Sequence, residues 1–172
     1  DDPMVRTGLR GIVDGVLQDL EIAIQESGAQ IGIGDLPELE VDPLQIRQLF
    51  QNLIGNAIKF RKPGVSPVIQ VQSRALADSG PGFEEMWEIV VRDNGIGFEE
   101  QYKKRIFEVF QRLNTASAYP GSGIGLTICR KVVEHHHGSI EAGSTPGEGA
   151  VFCIRLPARQ PEDKHAEGTE RN

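Results

Sequence analysis

The 172-residue chain sets 18 Lys+Arg against 25 Asp+Glu, for a net charge of −7 and a pI near 5.1. A surface that acidic excludes a duplex nucleic-acid binder, which needs a basic stripe to neutralise phosphates. With 38% hydrophobic and 25% charged residues the chain reads as one globular domain, long enough to bury a core. No signal peptide and no apolar run near the roughly 20 residues of a membrane span is found, so any anchor is expected elsewhere in a parent protein, while two cysteines, too few for a disulfide framework, fit a reduced cytoplasmic setting.

In chain order, residues 1–8 read as a disordered or linker start. Leu9 to Ser27 carries apolar residues at helical spacing (Leu9, Ile12, Val13, Val16, Leu17, Leu20, Ile24), with Gly28 as the stop. Gln30 to Gly34 and Glu38 to Val41 read as short strands. Then comes QIRQLFQNLIGNAIKF, Gln45 to Phe60. Pro43 suits a helix's first turn, and Asp42 is the predicted N-cap. Ile46, Leu49, Phe50, Leu53, Ala57 and Phe60 form its apolar face. Along the border runs a polar stripe of Gln48, Asn52, Asn56 and Lys59. Its carboxamides and ammonium could serve a cation and an anion, or could be a solvated edge; Gln48 is read as structural.

Arg61 to Pro67 is turn material. A strand is predicted from Val68 to Leu76, closed by SGPG, and another over Met86 to Asp93, rich in β-branched and aromatic residues. A short helix is expected over Glu99 to Phe107, and 113–122 (LNTASAYPGS) reads as a mobile lid. A helix from Ile124 to His137 stops at Gly138. Strands Ser139 to Ala142 and Ala150 to Leu156 follow, joined by STPGEG, and 158–172 reads as a disordered tail. Helices separated by strand pairs predict an α/β two-layer sandwich: a mixed, mostly antiparallel sheet of about five strands, covered on one face by about three helices. Cys129 and Cys153 read as small buried hydrophobes. His135, His136 and His137 point in different directions around a helix and make a poor metal site.

Two glycine clusters carry chemistry. Asp93-Asn94-Gly95-Ile96-Gly97 leaves a strand end, where a carboxylate backed by glycines either receives a donor from a flat ligand or simply makes a turn. Gly121-Ser122-Gly123-Ile124-Gly125 opens a helix, whose exposed N–H groups and dipole favour an anion. A Walker A loop is excluded because Leu126 and Thr127 stand where Lys and Ser/Thr are needed. A dinucleotide fingerprint is excluded because the cluster follows a loop rather than a strand.

NLIGNAIKF, DNGIGF, IFEVFQRL, GSGIGLTIC and GEGAVF occur in that order. They resemble the N box, first glycine box, F box and second and third glycine boxes of the catalytic and ATP-binding domain of sensor histidine kinases. That domain has the Bergerat ATP-binding fold of the wider superfamily that includes gyrase, Hsp90 and MutL. The resemblance covers about residues 9–157. It implies binding of ATP or ADP with Mg²⁺ held by Asn56, and Asn52 and Lys59 directed at phosphate. Phe60 would wall the pocket and Asp93 accept the adenine amine, with Gly95 and Gly97 allowing close approach to the ring. Gly121, Ser122, Gly123, Gly125 and Leu126 would line the phosphates, and Arg112 would clamp the γ-phosphate. Many relatives carry Thr where this chain has Ala150. The implied reaction is phosphoryl transfer to a histidine outside this chain, on a dimerisation and acceptor domain of the same protein. The implied partners are that domain and the receiver domain of a response regulator, with a monomeric isolated domain and a homodimeric parent. An anti-sigma-type serine kinase and a non-catalytic nucleotide-sensing module are the competing readings.

Overall fold

The computed structural model describes residues 3–76, 85–102, 104–107 and 124–161. Strand β1 (Val5–Gly8) pairs antiparallel with β3 (Glu38–Val41) in a small separate ribbon. Residues 5–8 therefore belong to the fold, and the expected disordered start is corrected there. Helices α1 (Leu9–Asp19) and α2 (Glu21–Ser27) split the first predicted helix at Leu20. The split breaks little: Leu20 N still donates to Val16 O and Ile24 N to Leu20 O. Gly28, at φ 71°, ends α2 in the left-handed region that glycine enters without cost.

Helix α3 (Pro43–Lys59) starts where its cap chemistry dictates. Asp42 Oδ1 accepts from Leu44 N at 3.1 Å and Gln45 N at 3.3 Å, satisfying two donors that a helix start leaves open. Its buried face holds Ile46, Leu49, Phe50, Leu53 and Ala57, as the periodicity predicts, and adds Ile54 and Ile58. The wider face follows from packing, because α3 lies between α1 and α4 (Ile124–His135). Cys129 of α4 is buried with its Sγ 3.9 Å from Leu49 O, and burial pushes its thiol up to about 12.

The main sheet has the order β2-β4-β5-β7-β6, where β2 is Gln30–Ile33, β4 Val68–Leu76, β5 Met86–Asp93, β6 Ser139–Thr145 and β7 Gly149–Pro157. Only the β2–β4 pair is parallel. This is the mixed, mostly antiparallel sandwich expected. Ile69, Val71, Ile89, Val91, Phe152 and Ile154 alternate along their strands and build the core beneath the helices. On the opposite face Glu88 lies directly between Arg74 and Arg155 of the flanking strands, bonded to both, at 2.9 and 3.4 Å. Cys153 shares that outer face opposite Val90 and is half-buried, not a core residue as expected.

The predicted short helix over Glu99 to Phe107 is two 3-10 turns, Glu100–Tyr102 and Arg105–Phe107. Residues 158–160 are also tied in, correcting the expected start of a disordered tail. Ala158 N donates to Glu85 O at 2.7 Å, and Ala158 O accepts from Glu40 N at 2.9 Å. Gln160 Nε2 donates to His136 O at 2.9 Å. Among the described residues, no helix is long and apolar enough to cross a membrane.

Candidate functional site

The end of α3 and the end of β5 meet at one place. Phe60, the C-cap of α3, accepts a hydrogen bond at its carbonyl from Ile96 N at 3.0 Å. Lys59 places Nζ 5.6 Å from the centre of the Phe60 ring. The polar stripe of α3 thus runs directly up to the glycine segment that follows β5.

Asp93, the last residue of β5, is organised by its own loop. Gly95 N donates to Asp93 Oδ1 at 2.8 Å, and Ala150 N donates to the same oxygen at 3.2 Å. Among the described residues no donor meets Oδ2. Burial pushes the carboxyl above its ordinary value, while the Gly95 and Ala150 amides pull the other way. The result is a half-buried carboxyl group with Oδ1 tied to two backbone amides.

The glycines around it make room for neighbouring backbone. A Cβ on Gly95 would sit 2.5 Å from Phe60 O. A Cβ on Gly97, at φ 66°, would meet Ser144 Oγ and Thr145 O at 2.6 Å. On Gly149 it would fall onto the Asp93 carbonyl oxygen. Segments 93–98 and 144–150 are therefore pressed backbone to backbone. Gly147 N donates to Ile96 O at 2.7 Å, Phe98 N to Ser144 Oγ at 2.8 Å, and Ser144 Oγ to Gly149 O at 2.6 Å. Sequence reasoning missed Ser144; a serine inside a predicted turn gives no signal until the register of β6 and β7 is known.

One to two turns back along α3, Asn52 lies against the start of α4: a Cβ on Gly125 would be 3.4 Å from Asn52 Oδ1. Asn52 Nδ2 is buried and, among the described residues, has no hydrogen-bond partner. Such groups are uncommon in folded proteins and call for an explanation. Asn56 and Lys59 are half-buried beside it, while Gln48 is exposed. Gly125 and Leu126 belong to the first turn of α4, where N–H groups lack intrahelical partners. Thr127 Oγ1 donates to Phe107 O at 3.0 Å, joining that turn to the F-box segment. The ring of Phe107 meets that of Phe152 edge-on, with centroids 6.2 Å apart. The structure thus brings together Asn52, Asn56, Lys59, Phe60, Asp93, Gly95, Gly97, Gly125 and Leu126. Arg112, Gly121, Ser122, Gly123 and the predicted lid at 113–122 lie outside the described residues.

The donor set fits a nucleotide's metal better than a self-contained metal cage. Among the described residues no group of three or more His, Cys, Asp or Glu could hold an ion. One carboxamide oxygen plus phosphates is a normal way to hold Mg²⁺, which keeps much of its water. The histidine run is occupied otherwise. His136 is fully buried, with Nδ1 bonded to Val132 O at 2.7 Å and Nε2 accepting from Asp42 N at 3.0 Å. That pattern requires the neutral ring, and burial lowers its pKa below the ordinary 6.5.

Residues 41–160 match the family described as histidine kinase-, DNA gyrase B- and HSP90-like ATPases. The chain is 43% identical over 151 residues to phytochrome-like protein Cph1 of Synechocystis sp., covering 88% of this chain and 19% of that relative. It therefore spans about a fifth of that relative's length. Among solved structures, the nucleotide-free catalytic domain of histidine kinase ThkA is similar with TM-score 0.73 and 25% identity, over 92% of this chain and 97% of that one. Full-length ShkA in complex with AMPPNP is similar with TM-score 0.72 and 26% identity, over 93% of this chain and 32% of that one.

Proposed function

The chain belongs to the histidine kinase-, DNA gyrase B- and HSP90-like ATPase family, and from that premise we propose that it is the ATP-binding catalytic domain of a two-component sensor histidine kinase. The arrangement at Asp93 carries the reading. Its Oδ1 is fixed by two backbone amides, so Oδ2 is oriented to accept the exocyclic amine of adenine. Guanine offers a carbonyl oxygen at that position, and carboxylate against carbonyl leaves two acceptors facing each other, which discriminates strongly.

At the other end, Asn52 Nδ2 and Lys59 donate to phosphate, and the first turn of α4 adds its N–H groups and dipole. Asn56 Oδ1 is the protein's ligand to Mg²⁺. When bound, that ion neutralises charge on the phosphate oxygens during transfer. The acceptor imidazole, on a dimerisation domain of the same protein, attacks the γ-phosphorus as the bond to ADP breaks. The phosphohistidine then serves a response-regulator receiver domain. The solved complex of ThkA with the response regulator TrrA, similar in fold with TM-score 0.67, supports that partner class. Cytoplasmic location and a dimeric parent belong to the same reading.

Mixing the chain with the separately purified dimerisation domain of its parent and labelled ATP tests the assignment. The expected product is an acid-labile, base-stable label on that domain. An acid-stable label would point to a serine kinase. Tight ATP binding with no transfer would leave a nucleotide-sensing module.

A further inference from the structure

We propose that Ser144 is a positioning residue for base recognition: its hydroxyl locks the two glycine segments together so that Asp93 holds Oδ2 toward the base. The inference rests on the nucleotide reading above.

Ser144 faces Ala150 directly across the β6–β7 pair, so their side chains share one face of the sheet. A serine hydroxyl has one hydrogen to donate and lone pairs to accept with. Here the hydrogen goes to Gly149 O at 2.6 Å and a lone pair takes Phe98 N–H at 2.8 Å. One atom therefore joins the end of the 93–98 segment to the first residue of β7. The neighbouring residue of β7, Ala150, donates to Asp93 Oδ1 at 3.2 Å. A shift of the Gly149 carbonyl moves the Ala150 amide with it, because both lie in the same peptide plane. The carboxylate's orientation is thus tied to the Ser144 hydroxyl through one peptide unit.

Among the described residues two further hydrogen bonds join these segments, Gly147 N to Ile96 O at the turn and Ala150 N to Asp93 Oδ1. Without the hydroxyl, Phe98 N–H and Gly149 O lose this shared partner together. The side chain of Ser144 does not read the base itself, since the backbone engages both its donor and an acceptor site. Its expected signature is a change in selectivity for the base, with the phosphate contacts left as they were.

The test compares ADP, GDP and tripolyphosphate, each with Mg²⁺, by calorimetry on the 172-residue chain. Ser144→Ala is expected to weaken ADP about five- to tenfold, the loss of one to two hydrogen bonds. GDP and tripolyphosphate should be unchanged, so the ADP:GDP ratio collapses by the same factor. Ser144→Thr, which restores the hydroxyl, should restore the ratio. An unchanged ratio in Ser144→Ala, or an equal loss for ADP and tripolyphosphate, overturns the proposal. Should Ser144→Ala fail to fold, Ser144→Cys keeps the volume without a strong donor, and its ratio decides in the same way. Failure of the nucleotide reading looks different: wild type would not prefer ADP to GDP, and Asp93→Asn would change nothing.

Discussion

The surroundings of Asp93 and of Asn52 are built on opposite plans. Around Asp93 the described backbone is closely knit: Gly95, Ile96, Phe98, Gly147 and Ala150 all donate to protein acceptors. Around Asn52 the described residues show no such closure, and its buried amide has no partner among them. A buried unsatisfied polar group costs about 1–3 kcal/mol. On the proposed reading, a phosphate oxygen takes this hydrogen and relieves that cost. On that reading selectivity should reside at Asp93 and affinity at Asn52.

The sharpest way to break this contrast is Asp93→Asn. Asparagine can keep Oδ1 on Gly95 and Ala150 while placing an NH₂ where the adenine amine must donate. ATP affinity should fall at least about tenfold in calorimetry; unchanged affinity would remove adenine from this site. Stability should move the other way. A carboxyl whose folded pKa is raised above 3.8 stabilises the fold below 3.8, and that contribution is lost as pH rises through the folded value. At neutral pH the variant should thus melt at or above the wild-type temperature.

Asn56→Ala comes next. Mg²⁺ should no longer strengthen ADP binding, and titrations with and without the ion should coincide. A retained metal effect would move the ion to another ligand. Asn52→Leu is expected to weaken nucleotide by about fivefold to tenfold, with a melting temperature equal to or above wild type. A steep drop in melting temperature would mean that the amide has a partner within the protein.

The smallest effect on the pocket should come from the far end of α3. His136 is held neutral between Val132 O and Asp42 N–H, and protonation would set Nε2–H against that amide. Its folded pKa is lowered, chiefly by burial. Its contribution is therefore complete above the unfolded value of about 6.5 and is lost as pH falls from there through the lower folded value. Melting curves from pH 8 to 5 should show this loss, and His136→Gln should flatten it. An identical pH profile in the variant would assign the loss to other groups.

What the sequence made legible was local chemistry. Strands 68–76 and 86–93 appear with their predicted bounds, because alternating β-branched residues need only their own period to declare themselves. The Asp42–Pro43 start of α3 was legible because the cap bonds residues two and three positions away. Partnerships across long separations were not. Val5–Gly8 is largely exposed and becomes a strand only through β3, more than thirty residues on. His136 is buried by an amide 94 residues away. Ile54 and Ile58 lay outside the predicted stripe, and their burial awaited the neighbours of α3. At the site, residue types pointed to Asn52, Asn56 and Asp93, but nothing local could say that the glycines make room for protein backbone.

One consequence of the β1–β3 ribbon concerns connectivity. Strand β3 has β1 along one edge, while on its other side Glu40 bonds Ala158 and Gln160. Residues 5–8 and residues 158–160 are thus tied to the two edges of one four-residue strand. That strand runs straight into Asp42 and the fixed first turn of α3. About 20 Å of helix then separates it from Asn56. That strand therefore joins segments from distant parts of the chain to the helix that carries Asn52, Asn56 and Lys59.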